Sequence, residues 1–275
     1  MLVVDGNPSG RPPRGLGNRC AARAYLGTMS IHPCTLSVAT AVAAFAAVSC
    51  APADAGPGST AAASGPIVVE LFTSQGCSSC PPADALLSDV AAHPGGGRAI
   101  LPLAYHVDYW NDLGWADPFS RAAWSERQQR YAAARGDGEI YTPQLIVAGG
   151  RHVVGSNRGA VRAALASAPP ATALAATLSR DGDRLRVTAT APAGAEVWLA
   201  LCEDGLVTRV ARGENAGRAL RNDRVVRALV RVGPGGADLR LDPSWRRDRL
   251  GAVAFAQRPD TLAIVAATAL AVPAP

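Results

Sequence analysis

Lysine is absent from this 275-residue chain, and all 27 basic residues are arginine. We interpret this as a composition bias of the genome rather than as chemistry. The net charge is only +5 and is scattered along the chain, which argues against a nucleic-acid partner, since such a partner needs a dense basic surface. Aromatic residues are few, at 5%, but 48% hydrophobic residues are enough for a globular protein with a sizeable core.

The apolar stretch near the N-terminus, residues 35–48, is too short to span a bilayer, because it has about 14 residues and a spanning helix needs about 20. It is uncharged and alanine-rich, and Ala53-Asp54-Ala55 offers a small-x-small cleavage site. We therefore predict an upstream extension and export signal over 1–55, a flexible linker over 56–65, and a periplasmic or secreted protein. A lipid anchor on Cys50 is the only membrane association that we expect. A buried alanine-rich helix is the competing interpretation.

Cysteine is scarce in the expected mature chain, which would keep Cys77, Cys80 and Cys202. Three cysteines are too few for a disulfide framework, so we expect one pair and one single residue. Cys202 lies in a strand-like segment and is predicted to be a small buried apolar residue.

The pair forms the motif Cys77-Ser78-Ser79-Cys80, between an apolar strand-like run and a proline-initiated helix. At such a junction the first sulfur lies over the free N–H groups of the helix N-terminus, which favour thiolate over thiol. We expect this sulfur to be open to solvent, and the second cysteine to be close enough to resolve a mixed disulfide. A static structural disulfide is the alternative.

Strand and helix signals alternate between 66 and 168, in the order β, α, β, α, β, β, α. This order predicts a parallel central pair of strands with a terminal antiparallel hairpin, which is the thioredoxin arrangement. Beyond Pro169-Pro170 the pattern changes to short segments of period two, which predict an antiparallel sandwich over 171–275. The expected fold class is α/β, with a thioredoxin-like domain followed by a small antiparallel β-sandwich-like domain.

Thr142-Pro143 precedes the predicted hairpin, where thioredoxin-like proteins have a cis-proline that faces the cysteines. A cis-proline there leaves backbone groups free to pair with an extended substrate, so both residues are candidates for substrate binding. An ordinary trans-proline at the start of an edge strand is the alternative.

Glu70 is the one acidic residue in the first predicted strand, seven positions before Cys77. A buried carboxyl there could take a proton from the resolving Cys80 during exchange. Alternatively, the strand has one solvated face and Glu70 points to water.

Polar and aromatic residues follow the second predicted strand, at the same edge of the sheet as the cysteines. His106 could tune thiolate stability or serve only as hydrogen-bonded scaffold. The loop 110–119 carries Trp110 and Trp115 and is either a substrate-contacting lid or an insertion held by its own aromatics. Thiolates beside an imidazole also suit Cu(I), so Cys77, Cys80 and His106 form a conditional copper set. There is no second Cys-x-x-Cys, which argues against structural zinc.

Five segments carry a family resemblance: Val68–Asp84, Ala104–Phe119, Arg127–Gln144, Arg212–Gly217 and Val225–Arg227. Together they resemble a bacterial family of secreted thioredoxin-like proteins, known as domain of unknown function 1223. The resemblance covers roughly residues 66–270, and it implies a thioredoxin-like fold and export but no particular substrate. Gly76 stands where thioredoxins usually have tryptophan, and Ser78-Ser79 replaces Gly-Pro, so the direction of electron flow stays open.

The sequence thus predicts an exported thiol–disulfide oxidoreductase in which Cys77 attacks and Cys80 resolves. No cofactor is expected, because the disulfide itself carries the two electrons, and the substrate would be a protein or small thiol or disulfide. The alternative is a non-enzymatic binding protein, either a periplasmic copper carrier or a partner-binding module with a static disulfide. The sequence predicts no oligomeric state.

Overall fold

The computed structural model describes residues 65–92 and 97–274. The predicted export signal, Cys50 and all of the predicted linker except Gly65 lie outside the described residues. Three α-helices occur in the described part of the chain, α1 (Pro81–Ala92), α2 (Ala122–Arg135) and α3 (Arg158–Ala166). The strands are β1 (Ile67–Thr73), β2 (Ile100–His106), β3 (Gln144–Val147), β4 (His152–Val154), β5 (Thr172–Ala173), β6 (Ala176–Asp181), β7 (Arg184–Ala189), β8 (Glu196–Glu203), β9 (Leu206–Arg209), β10 (Ala219–Asn222), β11 (Val225–Val232), β12 (Ala237–Arg240), β13 (Leu250–Gln257) and β14 (Ile264–Leu270).

The elements of the first half follow the predicted order, because local signals fix their ends. β1 and β2 are parallel, buried along their whole length, and followed by the antiparallel hairpin of β3 and β4. Gly136 ends α2 with a positive φ of 73°, and its N–H donates to the carbonyl of Ala132. Asn157 caps α3, since its side chain accepts a hydrogen bond from the N–H of Ala160.

One sheet of nine strands runs through both halves of the sequence, in the order β4-β3-β1-β2-β11-β8-β13-β14-β5. The sequence predicts a small sandwich of their own for the C-terminal strands, whereas the structure has five of them extending the first sheet. The junction is parallel and pairs Val225 of β11 with Ala104 of β2. Because β2 is apolar and buried on both faces, its outer edge needs a neighbouring strand, and β11 supplies it. The fold is therefore mixed α/β, with one large sheet and few helices.

Three buried apolar clusters lie against the faces of this sheet. Helices α1 and α3 pack on one face of β1 through residues such as Val69, Leu71 and Leu87. Helix α2 packs on the opposite face, where Phe72 and Tyr131 meet in a shared cluster. A three-stranded sheet, in the order β12-β7-β6, covers the C-terminal strands. The cysteine motif follows β1 and so lies where helix, sheet and C-terminal half come together.

The prediction for Cys202 is confirmed. Cys202 is a free, fully buried cysteine in β8, as predicted, and burial raises the pKa of its thiol to about 11. Among the helices of residues 65–92 and 97–274, none is both long and apolar enough to cross a membrane.

Candidate active site around the cysteine pair

The cysteine motif begins in a turn and ends directly before helix α1. Just beyond β1, the N–H of Cys77 donates to the carbonyl of Ser74 at 3.2 Å. The carbonyl of Cys80 accepts from the N–H groups of Ala83 and Asp84 at 2.8 and 3.1 Å, so Cys80 stands at the N-terminus of α1. The two prolines that follow Cys80 sit in the first turn, where a missing N–H breaks no helical hydrogen bond. This places Cys77 before the positive end of the helix.

Cys77 and Cys80 form a disulfide, with their Cα atoms 5.5 Å apart. Both cysteines are fully buried, whereas Ser78 and Ser79 between them are exposed. The expectation of a sulfur open to solvent is therefore wrong for this state of the protein. A segment from the C-terminal half also contacts the motif.

Residues 212–217, which we call the covering loop, contact the cysteine motif at several points. The buried Asn215 side chain donates from Nδ2 to the carbonyl oxygens of Gln75 and Cys77, both at 2.9 Å. The N–H of Ser78 donates to Glu214 Oε2 at 2.9 Å, and hydrogen bonds from Ser78 hold the pKa of this carboxyl below its ordinary value. No residue of the covering loop belongs to a buried apolar cluster. Hydrogen bonds, rather than apolar packing, hold it in place.

Two tryptophans from loop 110–119 border the motif from another side. A Cβ atom on Gly76 would lie 3.0 Å from Cβ of Trp110, so the chain passes Trp110 too closely for a larger residue. This contact explains why glycine, and not tryptophan, precedes the first cysteine. Trp115 donates from Nε1 to Gln75 Oε1 at 3.2 Å.

The Thr142–Pro143 peptide is cis, as the sequence predicts. Trp110 donates from Nε1 to the Thr142 hydroxyl at 2.8 Å, which connects the proline segment to the cysteine motif. On the other side, the carbonyl of Pro143 accepts from the N–H of Gly155 at 2.9 Å. A Cβ on Gly155 would lie 3.2 Å from Cβ of Ala83 in α1. Of the four predicted substrate-binding residues, Trp110 and Trp115 therefore contact the loop that carries Cys77, and Thr142 is joined to it through Trp110.

Glu70 is buried in β1, as the proton-transfer hypothesis requires, so the alternative of a solvated strand face is wrong. Its Oε1 accepts from Arg127 Nε at 2.7 Å, and its Oε2 accepts from the Tyr131 hydroxyl. Gln257 completes the group by donating to the Tyr131 hydroxyl at 2.7 Å. We call these four residues the Glu70 network, and none of their buried polar atoms lacks a partner. Both oxygens of the Glu70 carboxyl therefore accept hydrogen bonds inside this network.

A second buried polar group lies beside the first turn of α1 and was not predicted from the sequence. It consists of Thr73, Asp84, His106 and Asp117, which we call the Asp84 cluster. His106 Nδ1 and Asp117 Oδ2 are 2.7 Å apart, and both side chains are fully buried. Burial alone would lower the pKa of His106, but the neighbouring Asp117 carboxylate outweighs it and raises that pKa. In the same pair, burial favours a neutral Asp117, but His106 and hydrogen bonds lower the pKa of its carboxyl. His106 and Asp117 therefore form a buried ion pair.

Asp84 lacks such a partner. Burial raises the pKa of its carboxyl to about 6, even though His106 and the nearby Thr73 hydroxyl act in the opposite direction. Asp84 Oδ1, His106 Nε2 and Thr73 Oγ1 are all buried without a hydrogen bond. The Thr73 hydroxyl thus lies near the carboxyl but outside hydrogen-bonding geometry.

The conditional copper set is not assembled here. In the part of the chain that the structure describes, no three His, Cys, Asp or Glu side chains are grouped so that they could hold a metal ion. His106 is instead engaged with Asp117.

A family model described as protein of unknown function (DUF1223) matches residues 68–257. The chain belongs to the DUF1223 family. The match includes both cysteines, the proline segment, the covering loop and the Asp84 cluster. A search of the curated proteins found no match.

Two solved structures resemble this DUF1223 protein. One is the crystal structure of a structural-genomics target from Agrobacterium tumefaciens, with 29% identity and a TM-score of 0.58, covering 76% of this chain and 95% of the other. The other is HBP35 of Porphyromonas gingivalis, with 12% identity and a TM-score of 0.51, covering 76% of each chain. At 12% identity, the resemblance to HBP35 indicates a similar fold and nothing more.

Proposed function

We propose that this protein is an exported thioredoxin-like thiol–disulfide oxidoreductase that acts through Cys77 and Cys80. The observation that carries the proposal is the placement of the pair. A disulfide closes across the N-terminus of α1, directly after a buried central strand, and the cis-proline segment lies beside the same loop. The helix terminus favours the thiolate that exchange requires.

Access to the pair requires movement of the covering loop. Asn215 and Glu214 hold this loop with hydrogen bonds to the motif, and no residue of the loop is part of an apolar cluster. Segments with few buried apolar contacts open at low free energy compared with the whole protein. A substrate chain that offers its own backbone groups to Gln75 and Cys77 would replace the contacts of Asn215.

The test is reduction of insulin by dithiothreitol, catalysed by the full-length protein and compared with Cys77→Ser. We expect activity in the wild type and none above background in the variant. Cys202→Ala is the matched control, because it removes a buried thiol outside the site and should retain activity. Equal activity of wild type and Cys77→Ser would reject the proposal.

Burial of both cysteines favours a second candidate, a static disulfide that only braces the motif for a partner-binding role. The two candidates predict different outcomes when the folded protein is treated with a reductant. Excess dithiothreitol under native conditions should release two thiols from an oxidoreductase, and alkylation followed by mass spectrometry counts them. A disulfide that survives this treatment in the folded protein would establish the static bridge.

A further inference from the structure

Asp84 lies in the first turn of α1, directly after the resolving cysteine, Cys80. Cys80 and Asp84 are four residues apart at the start of α1, and the N–H of Asp84 donates to the carbonyl of Cys80 at 3.1 Å. Cys80 directly precedes the helix, which begins at Pro81, and Asp84 is its fourth residue, so this hydrogen bond brings the two residues together across the first turn. Both side chains are buried beside that turn.

The surroundings of Asp84 differ from those of a structural carboxylate. A buried carboxylate that stabilises a fold is usually paired, because an unpaired buried polar atom costs free energy. Here Asp84 Oδ1, His106 Nε2 and Thr73 Oγ1 all lack hydrogen bonds. Three such atoms in one cluster, next to a reactive pair, indicate a site whose protonation changes during the reaction.

The charges that face Asp84 are those of His106 and Asp117, with the hydroxyl of Thr73 on the same side. Arg227 acts in turn on His106. With a pKa of about 6, the Asp84 carboxyl is ionised at neutral pH but close enough to neutrality to accept a proton. Glu70 cannot play this part from its position, since Arg127 and Tyr131 occupy its oxygens.

We propose that Asp84, and not Glu70, accepts the proton of Cys80 in the resolving step. This inference rests on the proposed function. Cys77 thiolate first attacks a protein or small-molecule disulfide, forms a mixed disulfide and releases one substrate thiolate. The Asp84 carboxylate then takes the proton of the Cys80 thiol, and the Cys80 sulfur attacks the sulfur of Cys77. The Cys77–Cys80 disulfide forms, the second substrate thiolate leaves, and the proton passes to it. The protein is oxidised by two electrons and the substrate disulfide is reduced by two.

The experiment mixes reduced, full-length protein with one equivalent of dithiobis-nitrobenzoate, an aromatic disulfide whose released thiolate is coloured. The first release reports attack by Cys77, and the second reports attack by Cys80. In the wild type we expect the rate of the second release to rise with pH and to level off above about pH 6, where Asp84 is ionised.

In Asp84→Asn the first release should be unchanged, because Asp84 acts only on Cys80. The second should be about 100-fold slower at pH 7, the effect of losing a positioned general base, and should keep rising toward about pH 8.5, where free thiols ionise. Asp89→Asn is the matched control, since this exposed aspartate stands on the same helix, and it should behave as the wild type.

Three outcomes are distinguishable. Absence of the first release in the wild type overturns the proposed function. A normal first release with an unchanged second release in Asp84→Asn overturns the role of Asp84 alone. Should Asp84→Asn not fold, the wild-type profile still decides, since a second release without an inflection near pH 6 also overturns that role.

Discussion

The Glu70 network and the Asp84 cluster are both buried and both charged, yet they differ in how completely they are paired. In the first, the Glu70 carboxylate accepts from the Arg127 guanidinium and the Tyr131 phenol, both of which contact the Gln257 amide, and no buried polar atom of these four residues lacks a partner. In the second, three polar atoms have no partner. The Tyr105 hydroxyl, which lies beside Glu70, also has no hydrogen bond, so the surroundings of Glu70 hold one unpaired atom against three in the Asp84 cluster.

The difference separates a buried charge that stabilises the fold from the one to which we assign a role in our proposal. Fully paired networks make one packing arrangement favourable, because every alternative leaves a charge unsatisfied. Residues that are costly to the folded state persist where function requires them. On this reasoning the Glu70 network is scaffold between β1, α2 and β13, and the Asp84 cluster is part of the site.

The largest expected effect is a loss of stability when the Glu70 network is broken. Arg127→Met leaves the Glu70 carboxylate buried without its guanidinium, and we expect a loss of about 3–5 kcal/mol in the free energy of unfolding. Urea denaturation measures it. Arg130→Met, on the exposed side of the same helix, should change stability by less than about 0.5 kcal/mol. A similar, small loss in both variants would contradict the assignment of Glu70 to the scaffold.

The second-largest expected effect is a gain in stability, on removal of the Asp84 charge. The pKa of Asp84 is about 6 in the folded protein against 3.8 for an ordinary aspartate, so the folded state binds the proton more tightly than the unfolded state does. Stability from this group is present below about pH 4 and falls as the pH rises to about 6, by about 3 kcal/mol in all. Asp84→Asn removes the ionisation and should be more stable than the wild type at pH 8 by up to that amount.

The gain in Asp84→Asn should disappear at pH 4, and urea denaturation at the two pH values measures both. Asp89→Asn should show no gain at either pH, because its carboxyl is exposed. A variant less stable than the wild type at pH 8 would mean that Asp84 belongs with the paired, stabilising carboxylates, and the contrast between the two groups would fail.

The smallest effect concerns the covering loop. Asn215→Ala removes two hydrogen bonds to the cysteine motif, and we expect a stability loss of about 1–2 kcal/mol together with several-fold faster reduction of the disulfide by dithiothreitol. Asn157→Ala, which removes the cap of α3, should cost about 1 kcal/mol without changing the reduction rate. Equal reduction rates in these two variants would show that the loop does not control access.

Much of the first half of the fold could be predicted, because its signals are local. The prolines at 81 and 82, Gly136 and Asn157 mark helix ends in the sequence itself, and the apolar runs mark buried strands. The pairing of β2 with β11 could not be predicted, since it joins Ala104 to Val225 and depends on which edge of a sheet is left uncovered. The short strands β5 and β10 carry too few residues for a periodic signal.

The candidate site was predictable in its chemistry but not in its surroundings. The cysteine pair, Thr142-Pro143 and both tryptophans could be found from motif and spacing. The Glu70 network could not be predicted, because Arg127 lies 57 residues from Glu70 and a charge in a strand does not reveal which group will face it. Asp84 reads simply as an acidic residue in the first turn of a helix, a common stabilising pattern, and only burial distinguishes it.

The contact of Asn215 with Cys77 spans 138 residues, and this separation has a consequence for biogenesis. Chains are made from the N-terminus at about 5–20 residues per second, so both cysteines emerge well before the asparagine that shields them. Before the covering loop is made, nothing from it lies over the two cysteines. In the exported oxidoreductase that we propose, the disulfide would form on this uncovered pair, and docking of the last strands would then bury it.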